Sequence, residues 1–149
     1  MAESIYPTFR LPSLTAPSLG VKQKRYKSSL MFDFETGDFV RDGAKRLLTC
    51  DGHEAWVQWC LKQLATERRT KLAYSDKIGV EIYSAVRDER DIESVKLAIE
   101  RTITEALMVN PATEYVRNFT FEHEGDSLYV TFYAKGKEWD NEDALRLEL

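Results

Sequence analysis

The hydrophobic positions of this chain change period along its length, and each change marks a predicted element. Residues 92–107 carry Ile92, Val95, Ile99, Ile103, Ala106 and Leu107 at three-and-four spacing, one face of a helix over about 91–109 that Asn110-Pro111 would stop. Residues 53–64 repeat the pattern more broadly with Trp56, Val57, Trp59, Cys60, Leu61 and Leu64, leaving Gln58, Lys62 and Gln63 opposite, so a helix running to about Thr66 is predicted there. Asp51 before it, with Glu54 three positions on, reads as a capping box.

Past residue 113 the period falls to two. Residues 114–123 and 128–135 are rich in aromatic and β-branched side chains and are separated by Glu124-Gly125-Asp126-Ser127, where glycine supplies a positive φ, so a hairpin is predicted. Leu128, Val130 and Phe132 would share its buried face, and Tyr129, Thr131 and Tyr133 the other. Upstream, residues 30–34 and 39–40 flank the turn signal Glu35-Thr36-Gly37-Asp38 as a smaller hairpin, and residues 47–50 read as a third short strand. The expected fold class is α+β: two main helices packed on a small, mostly antiparallel sheet.

Both ends depart from this periodicity. Pro7, Pro12 and Pro17 break residues 1–29 into an extended arm, yet Ile5, Tyr6, Phe9, Leu11, Leu14 and Leu19 make it too apolar for a solvated linker; such a segment orders along a partner. The run Lys22, Lys24, Arg25 and Lys27 reads most simply as a solvated junction. Residues 136–149 form an acidic tail or edge strand with Leu145, Leu147 and Leu149 in alternation. The expected organisation is therefore an arm over 1–29, a body over 30–135 and a tail over 136–149.

Composition narrows the function classes. At 149 residues, 43% hydrophobic and 31% charged, the chain can bury one domain's core. A net charge of −4 provides no field for nucleic acid or an anionic membrane, and no signal segment or membrane span is legible, so a soluble protein made in the cytoplasm is expected. Cys50 and Cys60 are read as reduced packing residues.

Candidate chemistry is sparse. His53 and His123 sit at a helix start and a hairpin turn without a neighbouring nucleophile. Cys50, His53 and Cys60 lack a fourth ligand and zinc spacing, so neither metal nor cofactor is expected. Glu122 with Glu124, or Asp88 with Glu89, could nominally serve a glycosidase, but they read better as turn and surface charges. Glu67, Arg68 and Arg69 stand apart: a carboxylate beside guanidinium groups at a helix end cannot all face a core, though such a cluster can pair with a partner.

The runs Leu61-Lys62-Gln63-Leu64-Ala65-Thr66-Glu67-Arg68 and Tyr74-Ser75-Asp76-Lys77-Ile78-Gly79-Val80-Glu81-Ile82, the helix through residues 99–107 and the closing hairpin together resemble the inner baseplate wedge proteins of contractile tails. These are the sheath-initiator, or baseplate lysozyme-like, proteins. Phe32-Asp33-Phe34-Glu35-Thr36-Gly37-Asp38-Phe39 and Glu54-Ala55-Trp56-Val57-Gln58-Trp59-Cys60 are more similar to the branch in Gram-positive prophages and tail-derived bacteriocins.

The resemblance implies a non-enzymatic part of a phage or tail-like particle baseplate, assembled in the host cytoplasm in six copies around a tail tube. It implies docking on wedge scaffold proteins through a Glu-Pro-Arg or Gly-Glu-Arg motif. Glu67 and Arg68 match that motif's Glu and Arg without its proline or glycine, Arg69 stands beside them, and Gly79 matches the glycine of the returning segment. It further implies strand exchange with the first ring of sheath subunits, for which Leu145, Leu147 and Leu149 mark the edge. The alternative is a small cell-wall glycan hydrolase, for which no convincing acid and nucleophile pair is present.

Overall fold

The computed structural model describes residues 26–149, and the expected arm lies outside the described residues as far as residue 25. The first strands are two residues each: β1 (Ser29–Leu30), β2 (Phe32–Asp33), β3 (Asp38–Phe39) and β4 (Thr49–Cys50). β2 and β3 form the expected hairpin, and β1 pairs antiparallel with β4. Asp33 shapes the hairpin turn by accepting the Glu35 amide at 2.9 Å and the Thr36 hydroxyl at 2.9 Å, which holds its own carboxyl below the usual range. Phe32 and Phe39 meet edge to face across it, 5.3 Å apart.

The helix α1 (Gly52–Leu64) follows, with Asp51 at its N-cap as expected. The capping box does not form. Gly52 takes φ +59, a left-handed residue between the cap and the first turn, and the Asp51 side chain makes no capping bond. The helix α3 (Ile92–Met108) matches the second expected helix, and there Asp91 does cap, accepting the Glu93 amide at 3.2 Å.

Between them lies an element that periodicity did not reveal, α2 (Ile82–Asp88). Seven residues show less than two turns of pattern, and only Ile82 is buried, so nothing in the sequence marks the run as helical. It is held by packing on α3.

The third and largest sheet has the order β5-β6-β7, built from β5 (Thr113–Glu124), β6 (Ser127–Gly136) and β7 (Glu142–Glu148), all antiparallel. β6 is central. Val130, Phe132 and Ala134 are buried on its inner face, while Tyr133 is exposed on the other, the expected alternation. The C-terminal segment is an integral edge strand rather than a free tail: β7 pairs with β6 over its whole length.

Trp56, Cys60 and Leu64 of α1 meet Ile99, Ile103, Ala106 and Leu107 of α3 over Val130, Phe132 and Leu145 of the sheet, one core between helices and strands. Burying each large apolar side chain contributes about 1.5–3 kcal/mol. Trp56 also donates its indole N–H to the Thr113 hydroxyl at 3.2 Å, which satisfies both buried polar groups and ties α1 to β5.

The clamp after the first helix and the free edge of the sheet

The chain leaves α1 at Ala65, and the next three residues are fixed by a segment that returns eleven positions later. Glu67 and Val80 form an isolated parallel bridge, with the Arg68 amide donating to the Val80 carbonyl and the Val80 amide to the Thr66 carbonyl, each at 2.9 Å. Gly79 makes this approach possible. It takes φ +93, and a methyl group there would lie 2.5 Å from the Thr66 oxygen and 2.9 Å from the Arg68 nitrogen.

Arg68 turns inward, its side chain only 14% exposed, which settles where its guanidinium is used. Its Nε donates to the Gly79 carbonyl at 3.2 Å, and its Nη1 lies 3.8 Å from Glu81 Oε1. Arg69, at φ +65, approaches the same oxygen at 3.3 Å from the solvent side, with two-thirds of its side chain exposed. Glu81 Oε1 is enclosed yet accepts no hydrogen bond, so both contacts are ionic attractions without hydrogen-bond alignment. Gln63 braces the returning segment from α1: its Nε2 donates to the Lys77 carbonyl at 2.8 Å and the Ala106 carbonyl at 3.3 Å.

Sequence reasoning grouped Glu67, Arg68 and Arg69 and, through the resemblance, placed Gly79 in the returning segment, but missed Glu81 as the shared anion. The parallel bridge has no local signature, because its partners are thirteen residues apart.

Glu67 faces elsewhere. With Val80 and Tyr83 it lines one side of a 190 Å³ cavity whose other side is Leu147, Glu148 and Leu149, so Glu67 of the charged cluster and two of the three leucines share one place. The leucines themselves do not face outward. Leu145 is buried, and Leu147 and Leu149 pack against the core. What β7 offers outside is main chain.

The register fixes which main chain. Leu149 and Leu128 exchange both hydrogen bonds at 2.9 and 3.0 Å, so every second pair inward, Leu147 with Val130 and Leu145 with Phe132, bonds likewise. The alternate residues Glu142, Ala144, Arg146 and Glu148 direct their N–H and C=O groups away from β6, where no strand of the described residues pairs with them.

The opposite edge, β5, is different: its pairing slips twice, once around Asn118 at φ +59. Bulges of this kind blunt an edge against further strand addition, whereas β7 is regular from end to end.

The remaining candidates lie in packing contacts or at the surface. His53 Nε2 lies 2.6 Å from Asp143 Oδ2, and its ring packs on Trp56 and Trp139, which joins α1 to β7. Burial, with the Asp143 charge adding, pushes the Cys60 thiol up to about 12, and burial also raises Cys50, so neither is a ready thiolate. Glu122, Glu124, Asp88, Glu89 and His123 are exposed. Among the described residues no cluster of acidic, histidine or cysteine side chains could hold a metal ion, and no helix is long and apolar enough to cross a membrane.

The chain is similar in sequence to known proteins. The family model described as the contractile injection system sheath initiator matches residues 28–138. Phage-like element PBSX protein XkdS of Bacillus subtilis (strain 168) is 32% identical over 107 residues, 71% of this chain and 72% of that protein.

Proposed function

The chain belongs to the contractile injection system sheath initiator family, and from that membership we propose how it performs the role. It is a structural component of a contractile injection particle, and its role is to start the sheath. In this reading the Glu67, Arg68 and Arg69 region docks on wedge scaffold proteins of a baseplate, and the free edge of β7 receives a strand from the first ring of sheath subunits. Six copies around the tail tube of a prophage-type or bacteriocin-type particle complete it.

The observation that carries the strand step is the regular outer edge of β7, set against the bulged edge of β5. An added strand would gain main-chain hydrogen bonds worth about 0.5–1.5 kcal/mol each, with alternate side chains setting register. Leu145, Leu147 and Leu149 contribute by anchoring that edge to the core, and Ala144, Arg146 and Glu148 provide the outward donors and acceptors. The adjacency of Glu67 to Leu147 and Leu149 supports a single composite attachment, scaffold on one side and sheath on the other.

Ala144→Pro tests the strand step, because it removes one outward N–H and leaves the β6 ladder intact. The variant is expected to fold with a near-normal melting temperature and to join baseplates that carry bare tubes. Fully sheathed particles from this variant would rule out β7 as the receiving edge.

A further inference from the structure

The loop of residues 69–78 is exposed at every position, yet it is not slack. The Glu67–Val80 bridge and the Arg68 bond to Gly79 close its base, and Gln63 holds Lys77. Internal bonds shape its turns: Tyr74 N–H to the Lys71 carbonyl at 3.1 Å, Ile78 N–H to the Ser75 carbonyl at 3.0 Å, and the Thr70 hydroxyl to the Glu67 carbonyl at 3.0 Å. Such a closed, internally bonded loop presents its side chains in a set geometry.

What it presents is unusual for a solvated connection. Leu72 is fully exposed and Tyr74 half exposed, with Ile78 partly so, on one short segment. Single exposed apolar residues are ordinary, but these add nothing to the core that the clamp serves. Around them stand Arg69, Lys71 and Lys77 against the one carboxylate of Asp76, so the loop is cationic on a chain whose net charge is −4.

We infer that the loop of residues 69–78 is the element that enters the docking partner, with Leu72 as its apolar anchor, and that its partner is a protein surface with an apolar pocket rimmed by carboxylates. Arg68 is then a positioning residue: its guanidinium is spent on Gly79 and Glu81, shaping the loop rather than reaching the partner. Arg69 remains at the rim. The inference rests on the docking reading above and relocates its contact from the arginine pair to the tip that the pair supports. Charge complementarity with Arg69, Lys71 and Lys77 selects a pocket rimmed by carboxylates.

The test uses whole particles assembled with a variant chain in place of the natural one, reading how much of the chain co-purifies and whether sheath is attached. Leu72→Asp is expected to fold normally, since Leu72 is fully exposed, and to be retained at least about tenfold less, as loss of a central apolar anchor does. Leu72→Met should be retained. The double variant Lys71→Glu/Lys77→Glu should be lost too, and its normal retention would refute the acidic rim.

A cysteine at the tip, Leu72→Cys, should label readily with a maleimide in the free chain and be protected in the particle; equal labelling in both overturns the inference. If Leu72→Asp is retained while Arg69→Ala or Glu67→Ala is lost, the loop tip is not the anchor although docking at this end stands. Retention of all three sinks the docking reading as well. A Leu72-dependent self-association of the isolated chain would replace the acidic partner with a second copy.

Discussion

The Gly79 Cα sits against the Thr66 carbonyl so closely that a single methyl group on Gly79 would lie 2.5 Å from that oxygen. This contact sets the width of the clamp, and the φ of +93 closes the same position to L side chains a second time.

Gly79→Ala is therefore expected to destabilise the fold by about 1–3 kcal/mol, the range for a strained backbone at a crowded site. Urea denaturation measures it. Hydrogen exchange should show the loss concentrated in residues 66–80, and an unchanged midpoint with unchanged exchange would mean that the clamp is not under this constraint.

The indole of Trp56 and the hydroxyl of Thr113 are each other's buried partner. Trp56→Phe and Thr113→Val should each cost at least about 1–3 kcal/mol, because each leaves one polar atom unsatisfied. The double variant should cost less than the sum of the two. Strict additivity in a double-mutant cycle would show that the bond contributes no coupling.

Cys60, fully buried with its thiol pushed up to about 12, should stay unmodified by iodoacetamide in the folded chain at mildly alkaline pH. Cys50, also buried and raised, should behave alike. Both should react once the chain is unfolded, as mass spectrometry would record. Rapid native-state alkylation of Cys60 would mean that α1 opens readily. This silence also makes the Leu72→Cys label clean.

Glu142 on β7 accepts from the Tyr115 hydroxyl on β5, and that bond, opposed by desolvation and aided by the Arg117 guanidinium, holds its carboxyl below the usual range. A folded-state value below the unfolded one gives stability that is present above the unfolded pKa and lost as pH falls through the folded value. Wild type should melt above Glu142→Gln near neutrality, and the gap should close on acidification through the carboxylate range. A gap that widens toward acid would reverse the assignment.

The helices α1 and α3 and the β5–β6 hairpin were legible because each repeats its burial pattern over enough residues to distinguish a period of 3.6 from one of two. The same local rule identified Leu145, Leu147 and Leu149 as one face of a strand. It could not say that this face looks inward, because that depends on register against β6, set by tertiary pairing.

The capping box at Asp51 failed for a related reason: the residue types fit, but the φ of Gly52 decided where the carboxylate lies. α2 was too short to carry a pattern and exists through its packing on α3.

At residues 67–69 the sequence by itself determined that charge must gather where α1 ends, since the apolar stripe stops at Leu64. It did not determine the direction of that charge. Only the fold, by returning Gly79 and Glu81 to the same point, turned Arg68 inward, left Arg69 at the surface and faced Glu67 toward the end of β7. Periodicity records whether a side chain is buried, whereas the partner of a charge depends on distances in space that no local spacing contains.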